Sequence, residues 1–121
     1  MAQNVNLIIY TPEKTALERK VYRVVLPYGN TNLTVLEERA PTSLVLHAGV
    51  LQILKEDDSV EAAYFIDSGV ADIADNVCKI STAHLLPYNK INAKEARELA
   101  EQEPQNAEFY NTIAFHLEAF E

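Results

Sequence analysis

Through most of the chain, apolar residues alternate with polar ones in short runs. Leu7 and Ile9, Leu33 and Val35, Leu44 and Leu46, Leu51 and Ile53, and Cys78 and Ile80 each stand two apart. A period of two places alternate side chains on opposite faces, the pattern of a half-buried strand. The runs predict strands over residues 5–10, 21–26, 33–36, 43–46, 50–54, 62–66, 70–74 and 77–80. Turn-forming residues separate them. Proline at Thr11-Pro12 fixes φ and removes a ladder donor, and Pro27-Tyr28-Gly29-Asn30 ends the second run. Ala48-Gly49 is a turn, while Glu56-Asp57-Asp58-Ser59 and Asp75-Asn76 read as hairpin tips. Short strands at regular spacing with no helix between them imply two packed antiparallel sheets. The expected fold is an antiparallel β-sandwich of about eight to ten short strands followed by an α-helical hairpin.

After Pro87 the period changes. Asn92-Ala93-Lys94-Glu95 has the form of a capping box, with Asn92 accepting a backbone N–H at a helix start. Ala93, Ala96, Leu99 and Ala100 then form a thin stripe of small residues until Pro104 blocks continuation. A second helix starting near Pro104-Gln105 carries Phe109, Ile113, Leu117 and Phe120 on one face. Burying such side chains contributes about 1.5–3 kcal/mol each, so the stripe must face something. The simplest arrangement packs the Ala-rich helix against it. The chain divides on this reading into a sandwich over residues 1–86 and a helical hairpin over 87–121, with residues 86–90 as the candidate hinge.

At 121 residues the length is that of one domain, with roughly two thirds of the open chain's surface hidden on folding. The hydrophobic share, 48%, is too high for a disordered chain. A net charge of −8 argues against binding nucleic-acid phosphates or anionic lipid headgroups, both of which require Lys and Arg. From residue 92 onward the acids face only Lys94 and Arg97. They form either a solvated helical surface or an acidic docking site. Cys78 has no second cysteine to pair with. The opening MAQNVNLIIYTPE lacks the basic and long apolar regions of a secretory signal. No stretch nears the ~18 apolar residues of a spanning helix. The expectation is a soluble chain that meets a membrane only through a partner.

Two segments carry a family resemblance. Leu7-Ile8-Ile9-Tyr10-Thr11-Pro12-Glu13 and the run LPYGNTNLTVLEERAP, residues 26–41, resemble the L-x-I-x-T-P-E and L-P-G-x-x-G-x-x-G-(V/I)-L-P-x-H-A-P segments of the F-type ATP synthase epsilon subunit. Leu26, Pro27, Val35, Leu36, Ala40 and Pro41 match. Tyr28, Thr31 and Thr34 stand where the family has glycine, Glu37 where it has proline, and Arg39 where it has histidine. Further on, Gly49-Val50-Leu51 resembles G-x-L, and Tyr64-Phe65-Ile66-Asp67-Ser68-Gly69 resembles Y-F-x-x-S-G-G. The resemblance implies a non-catalytic central-stalk subunit of a proton-translocating F-type ATP synthase. Its partners would be the gamma subunit and the c ring, on the cytoplasmic face of the energy-transducing membrane, and its helical hairpin would restrain ATP hydrolysis. It places Tyr28, Gly29, Asn30, Thr31, Glu38 and Arg39 at the c-ring end. Leu99, Phe109, Ile113, Leu117 and Phe120 would hold the hairpin to gamma or to the sandwich. Some family members bind ATP through I/L-D-x-x-R-A; here Asn92 replaces the aspartate and Glu95 the arginine, so no nucleotide is expected.

The remaining chemistry-bearing residues give no enzyme. His47, His84, His116 and Cys78 show neither C-x-x-C nor H-x-x-x-H spacing, so no metal site or Cys/His nucleophile is expected. Neighbouring acids such as Glu37-Glu38 and Asp57-Asp58 diverge into solvent rather than form an acid/base pair. Three glycines cannot assemble a phosphate-cradling loop, and no cofactor is implied. The rival to the rotor reading is a diverged β-sandwich adaptor outside the ATP synthase.

Overall fold

The computed structural model describes residues 5–28, 31–35 and 41–120, without the side chains of Tyr28, residues 31–33 and Phe120. Ten strands are described: β1 (Val5–Thr11), β2 (Lys14–Val21), β3 (Arg23–Tyr28), β4 (Thr31–Val35), β5 (Thr42–Leu46), β6 (Gly49–Leu54), β7 (Val60–Ile66), β8 (Gly69–Ala74), β9 (Val77–Thr82) and β10 (Leu85–Pro87). A 3-10 turn over Tyr88–Lys90 leads to helix α1 (Ala93–Gln102), and a second over Pro104–Asn106 leads to α2 (Ala107–Phe120). The first sheet runs β2-β1-β9-β8-β5 and the second β10-β7-β6-β3-β4. Between them lie the inward members of the alternating pairs, including Leu7, Ile9, Leu51, Ile53, Cys78 and Ile80, all fully buried.

Turn chemistry fixes the registers. Asp75 and Asn76 both have positive φ, the requirement of the two-residue hairpin turn whose twist matches its strands. Asp58, also at positive φ, follows a turn closed by its N–H donating to the Lys55 carbonyl at 3.0 Å. Pro12 cannot take positive φ, so its tip is not of the primed kind. The register shift between Ile9 and Tyr10 is the bulge that re-aims the strands beyond it. Gly69 has a steric reason: a Cβ there would lie 2.0 Å from the Ser81 carbonyl oxygen.

The second sheet is covered on both faces. Val50 on β6 and Leu86 on β10 are the cross-strand partners of Phe65 on β7. Together they form an apolar row facing away from the sandwich core. The helices close over this row. Phe65, Ala96, Phe109, Ile113, Ala114 and Leu117 make a second buried cluster, joined by Val50, Leu86, Tyr88 and Ile91. Asn92 Oδ1 accepts the Glu95 N–H at 2.8 Å and starts α1. Arg97 spans to α2, its Nη2 donating to Glu118 Oε1 at 2.6 Å and its Nη1 to Asn111 Oδ1 at 3.1 Å.

The structure departs from the sequence reading in four places. β2 was not foreseen, because Lys14–Val21 is largely polar and lies at a sheet edge; the run expected over 21–26 splits, Val21 ending β2 and Arg23 opening β3. β10 was likewise absent from that reading. The residues expected to act as a hinge are β10 and a 3-10 turn, with Leu86 and Tyr88 packed beneath the helices. One pairing, β1 with β9, is parallel.

Candidate docking surfaces

Two surfaces emerge from this architecture: the seam under the helices and the open face of the first sheet. At the seam, the Phe65 ring stacks on Tyr88 at 4.9 Å between centroids. The His116 ring stands edge-on to both, 5.7 Å from Phe65 and 5.5 Å from Tyr88. His116 Nε2 lies 3.1 Å from the Tyr88 hydroxyl, and burial pushes its pKa below the ordinary value. At the other end of α2, His84 stacks on Phe109 at 4.9 Å, while its Nδ1 lies 3.2 Å from Asp67 Oδ2. The buried Thr82 hydroxyl lies 3.0 Å from the Asp67 carbonyl and steadies this corner. Aromatic pairs of this kind contribute about 0.5–1.5 kcal/mol beyond simple burial.

Among the described residues, the helices pack on the second sheet and none covers the outward face of the first. Val45 opposes Val70, Val70 opposes Ser81, and Ser81 opposes Tyr10. These form a row across four strands in which Val45 is 63% exposed and Val70 44%. A parallel row of Ser43, Asp72, Lys79, Ile8 and Glu18 places charge beside it. An apolar strip with charged residues beside it has the make-up of a protein-docking surface rather than a small-molecule pocket.

The residues expected at the c-ring end fall mostly outside the described part. Gly29, Asn30, Glu38 and Arg39 lie outside the described residues, as do the side chains of Tyr28 and Thr31. The backbones of the last two pair as the end of the β3–β4 ladder. Just before that end, buried Pro27 sits against Gly49, where a Cβ would come within 2.9 Å of the proline's own Cβ. Of the hairpin set, Phe109, Ile113 and Leu117 are brought together against Phe65 and Ala96. Leu99 is half-buried and its carbonyl accepts the Glu103 N–H at 2.9 Å. The side chain of Phe120 lies outside the described residues.

Sequence reasoning missed Val50, Phe65, Leu86, Tyr88 and His84 as the floor under α2, and His116 as the residue of α2 that meets Phe65 and Tyr88. A signal was present: Ala62-Ala63-Tyr64-Phe65-Ile66 is an unbroken apolar run, the mark of a strand covered on both faces. His47 is exposed, and Cys78 sits in the sandwich core with its thiol pKa pushed up to about 12 by burial. Among the described residues no three His, Cys, Asp or Glu side chains gather in a group that would hold a metal ion. No described helix is long and apolar enough to cross a membrane.

Residues 4–87 match the beta-sandwich domain of the ATP synthase delta/epsilon chain. The chain is similar to the ATP synthase epsilon chain of Rhodopirellula baltica, with 33% identity over 93 residues, covering 77% of this chain and 71% of that one. It is similar also to the ATP synthase epsilon chain of Rhizobium johnstonii, with 28% identity over 113 residues, covering 91% and 83%. In fold it is similar to a chain in the cryo-EM structure of the Euglena gracilis mitochondrial ATP synthase comprising OSCP, F1 and the c-ring. The TM-score is 0.70 at 19% identity, covering 88% of this chain and 67% of that one. A chain of the central stalk and c-ring of the Tetrahymena thermophila enzyme gives 0.59 at 18% identity, covering 93% and 97%.

Proposed function

The chain belongs to the ATP synthase delta/epsilon chain family, and from that premise we propose that it is the epsilon-type subunit of the rotating central stalk of a proton-translocating F-type ATP synthase. In this role it joins the c ring to the gamma subunit and makes or breaks no bonds itself. The observation that carries the reading is a coincidence of extents: the family match spans residues 4–87, and the two-sheet body runs from Val5 to Pro87. Such a body suits torque transmission, because interiors packed to crystal-like density deform little under load. The diverged-adaptor reading is not favoured, since the relatives described above are ATP synthase epsilon chains.

The free face of the first sheet is the surface we assign to gamma. The second sheet's outer face is already occupied by α1 and α2, leaving Val45, Val70 and Tyr10 as the open apolar strip. The c ring would meet the end of the β3–β4 ladder together with the segment holding Glu38 and Arg39, so the chain would reach the membrane only through that ring. The sandwich over 1–86 is the coupling unit, and the hairpin over 87–121 is the element that would restrain ATP hydrolysis. Asn92 caps α1 here, a use that accounts for asparagine at that position without a nucleotide.

Mixing the purified chain with gamma at micromolar concentration tests the reading. The expected result is a 1:1 complex on gel filtration that Val70→Glu abolishes, because a charge on the strip would be buried without a partner. Absence of a wild-type complex would reject the stalk role. A complex indifferent to Val70→Glu would reject only the assigned face.

A further inference from the structure

The open face of the first sheet has a regularity beyond its apolar strip. Its outward residues stand in rows across the strands. Val45, Val70, Ser81 and Tyr10 form one row over β5, β8, β9 and β1, and Ser43, Asp72, Lys79 and Ile8 form the next. Past β1, the edge strand β2 adds Glu18 beside Ile8 and Lys20 beside Asn6. The described charges on this face therefore balance, Asp72 and Glu18 against Lys79 and Lys20. The chain's net −8 is carried elsewhere, and from residue 92 onward alone seven acids stand against two bases.

A face of this kind can lie against its own copy if the symmetry axis sets unlike charges together. In an isologous pair the two-fold axis lies in the plane of contact. An axis across the strands, along the second row, would lay Asp72 on Asp72 and Lys79 on Lys79. An axis parallel to the strands, running between β8 and β9, does the reverse, because Asp72 and Lys79 are cross-strand partners on those two strands. Asp72 then meets Lys79 of the second copy, and Lys79 meets its Asp72. By the same operation Val45 meets Tyr10, Val70 meets Ser81, and Ser43 meets Ile8. Ser43 Oγ donates to Asp72 Oδ1 at 2.5 Å, which holds the carboxylate in its row. We propose that a second copy of this chain occupies the open face, packed sheet to sheet about that axis.

Sheets packed face to face lie about 10 Å apart with their strands roughly aligned, a gap that side chains of this size fill from both sides. Four strands of each copy are matched, and β2 overhangs at each rim with Glu18 and Lys20 in solvent. A contact of that extent falls at the small end of specific interfaces, so the pair forms and separates with concentration. The opposed charges select the axis more than they add affinity. Gamma and the second copy would claim the same face, so the dimer is a form of the free chain. Its existence is tested with gamma absent and does not depend on the stalk role.

Sedimentation equilibrium of the intact chain provides the test. The mass is expected to rise from one chain to two between micromolar and submillimolar concentration. Asp72→Lys sets a lysine against Lys79 of the second copy, and Lys79→Asp sets two aspartates together. Each should weaken the dimer about tenfold or more. Both positions are exposed, so the fold is kept. An equal mixture of the two variants should dimerise again, because every charge then meets its opposite across the contact. The double variant Asp72→Lys/Lys79→Asp should match the wild-type chain within about threefold. A chain that stays monomeric throughout the range would overturn the proposal and leave the face to another partner. Single variants that dimerise as the wild type does, or a mixture that remains monomeric, would overturn it equally.

Discussion

Phe65 is buried under the helices, while the residues on either side of it in β7 pack into the sandwich. Its neighbours Tyr64 and Ile66 face the sandwich core, while Phe65 itself lies under Ala96, Phe109 and Ile113 at 1% exposure. Removing the ring opens a cavity that a sheet on one side and a helix on the other cannot collapse to fill. Phe65→Ala is expected to cost about 3–5 kcal/mol in urea unfolding, with α1 and α2 losing exchange protection before the strands. A loss below about 1 kcal/mol would mean the seam repacks freely. Some residues of this kind were legible in the sequence and others were not. Leu51, Ile53, Cys78 and Ile80 announce themselves by alternation, and Phe109, Ile113 and Leu117 by helical spacing. Phe65, Val50 and Leu86 alternate out of phase with the core. They look like exposed positions until the helices are known to lie above them.

Among the elements, those with a strong local signal were readable and those held by their neighbours were not. Asn92 and Pro104 bracket α1 by chemistry that acts within a turn, and the structure places the helix between them. β2 and β10 have weak patterns of their own and exist because β1 and β7 offer edges to pair with. The parallel contact of β1 with β9 depends on how distant parts of the chain meet, which no local period encodes. The helical pair also has an electrostatic clip that alternation does not reveal. The Arg97 hydrogen bond holds the Glu118 carboxyl below its ordinary 4.5. The pair therefore supports the hairpin above pH 4.5, and that support is lost as pH falls through the lowered value. Helix content followed by circular dichroism should decline over that range in the wild-type chain, beyond any loss attributable to the sandwich. Glu118→Gln should start lower and show a shallower decline. Equal acid profiles would show that the clip contributes nothing, as many exposed pairs do.

For the whole molecule, the arrangement is a stiff two-sheet body with one outer face covered by helices and the other left open. The coverage explains why Val45 and Val70 are exposed on one sheet while Val50 and Phe65 are not exposed on the other. The charge of −8 favours protein partners with complementary surfaces over nucleic acid. The frame of the family was visible in the Thr-Pro-Glu turn and the Leu-Pro to Ala-Pro span. The altered turn residues between them gave no account of which sheet face is open, because that is set by what the helices leave uncovered.

Proton pumping by membrane vesicles carrying an F-type ATP synthase assembled without this subunit tests the central claim most directly. Adding the purified chain is expected to restore ATP-driven acidification, with one chain bound per enzyme. Tight binding without recovery of pumping, or recovery without binding to the stalk, would contradict a rotor that couples by shape and stiffness alone.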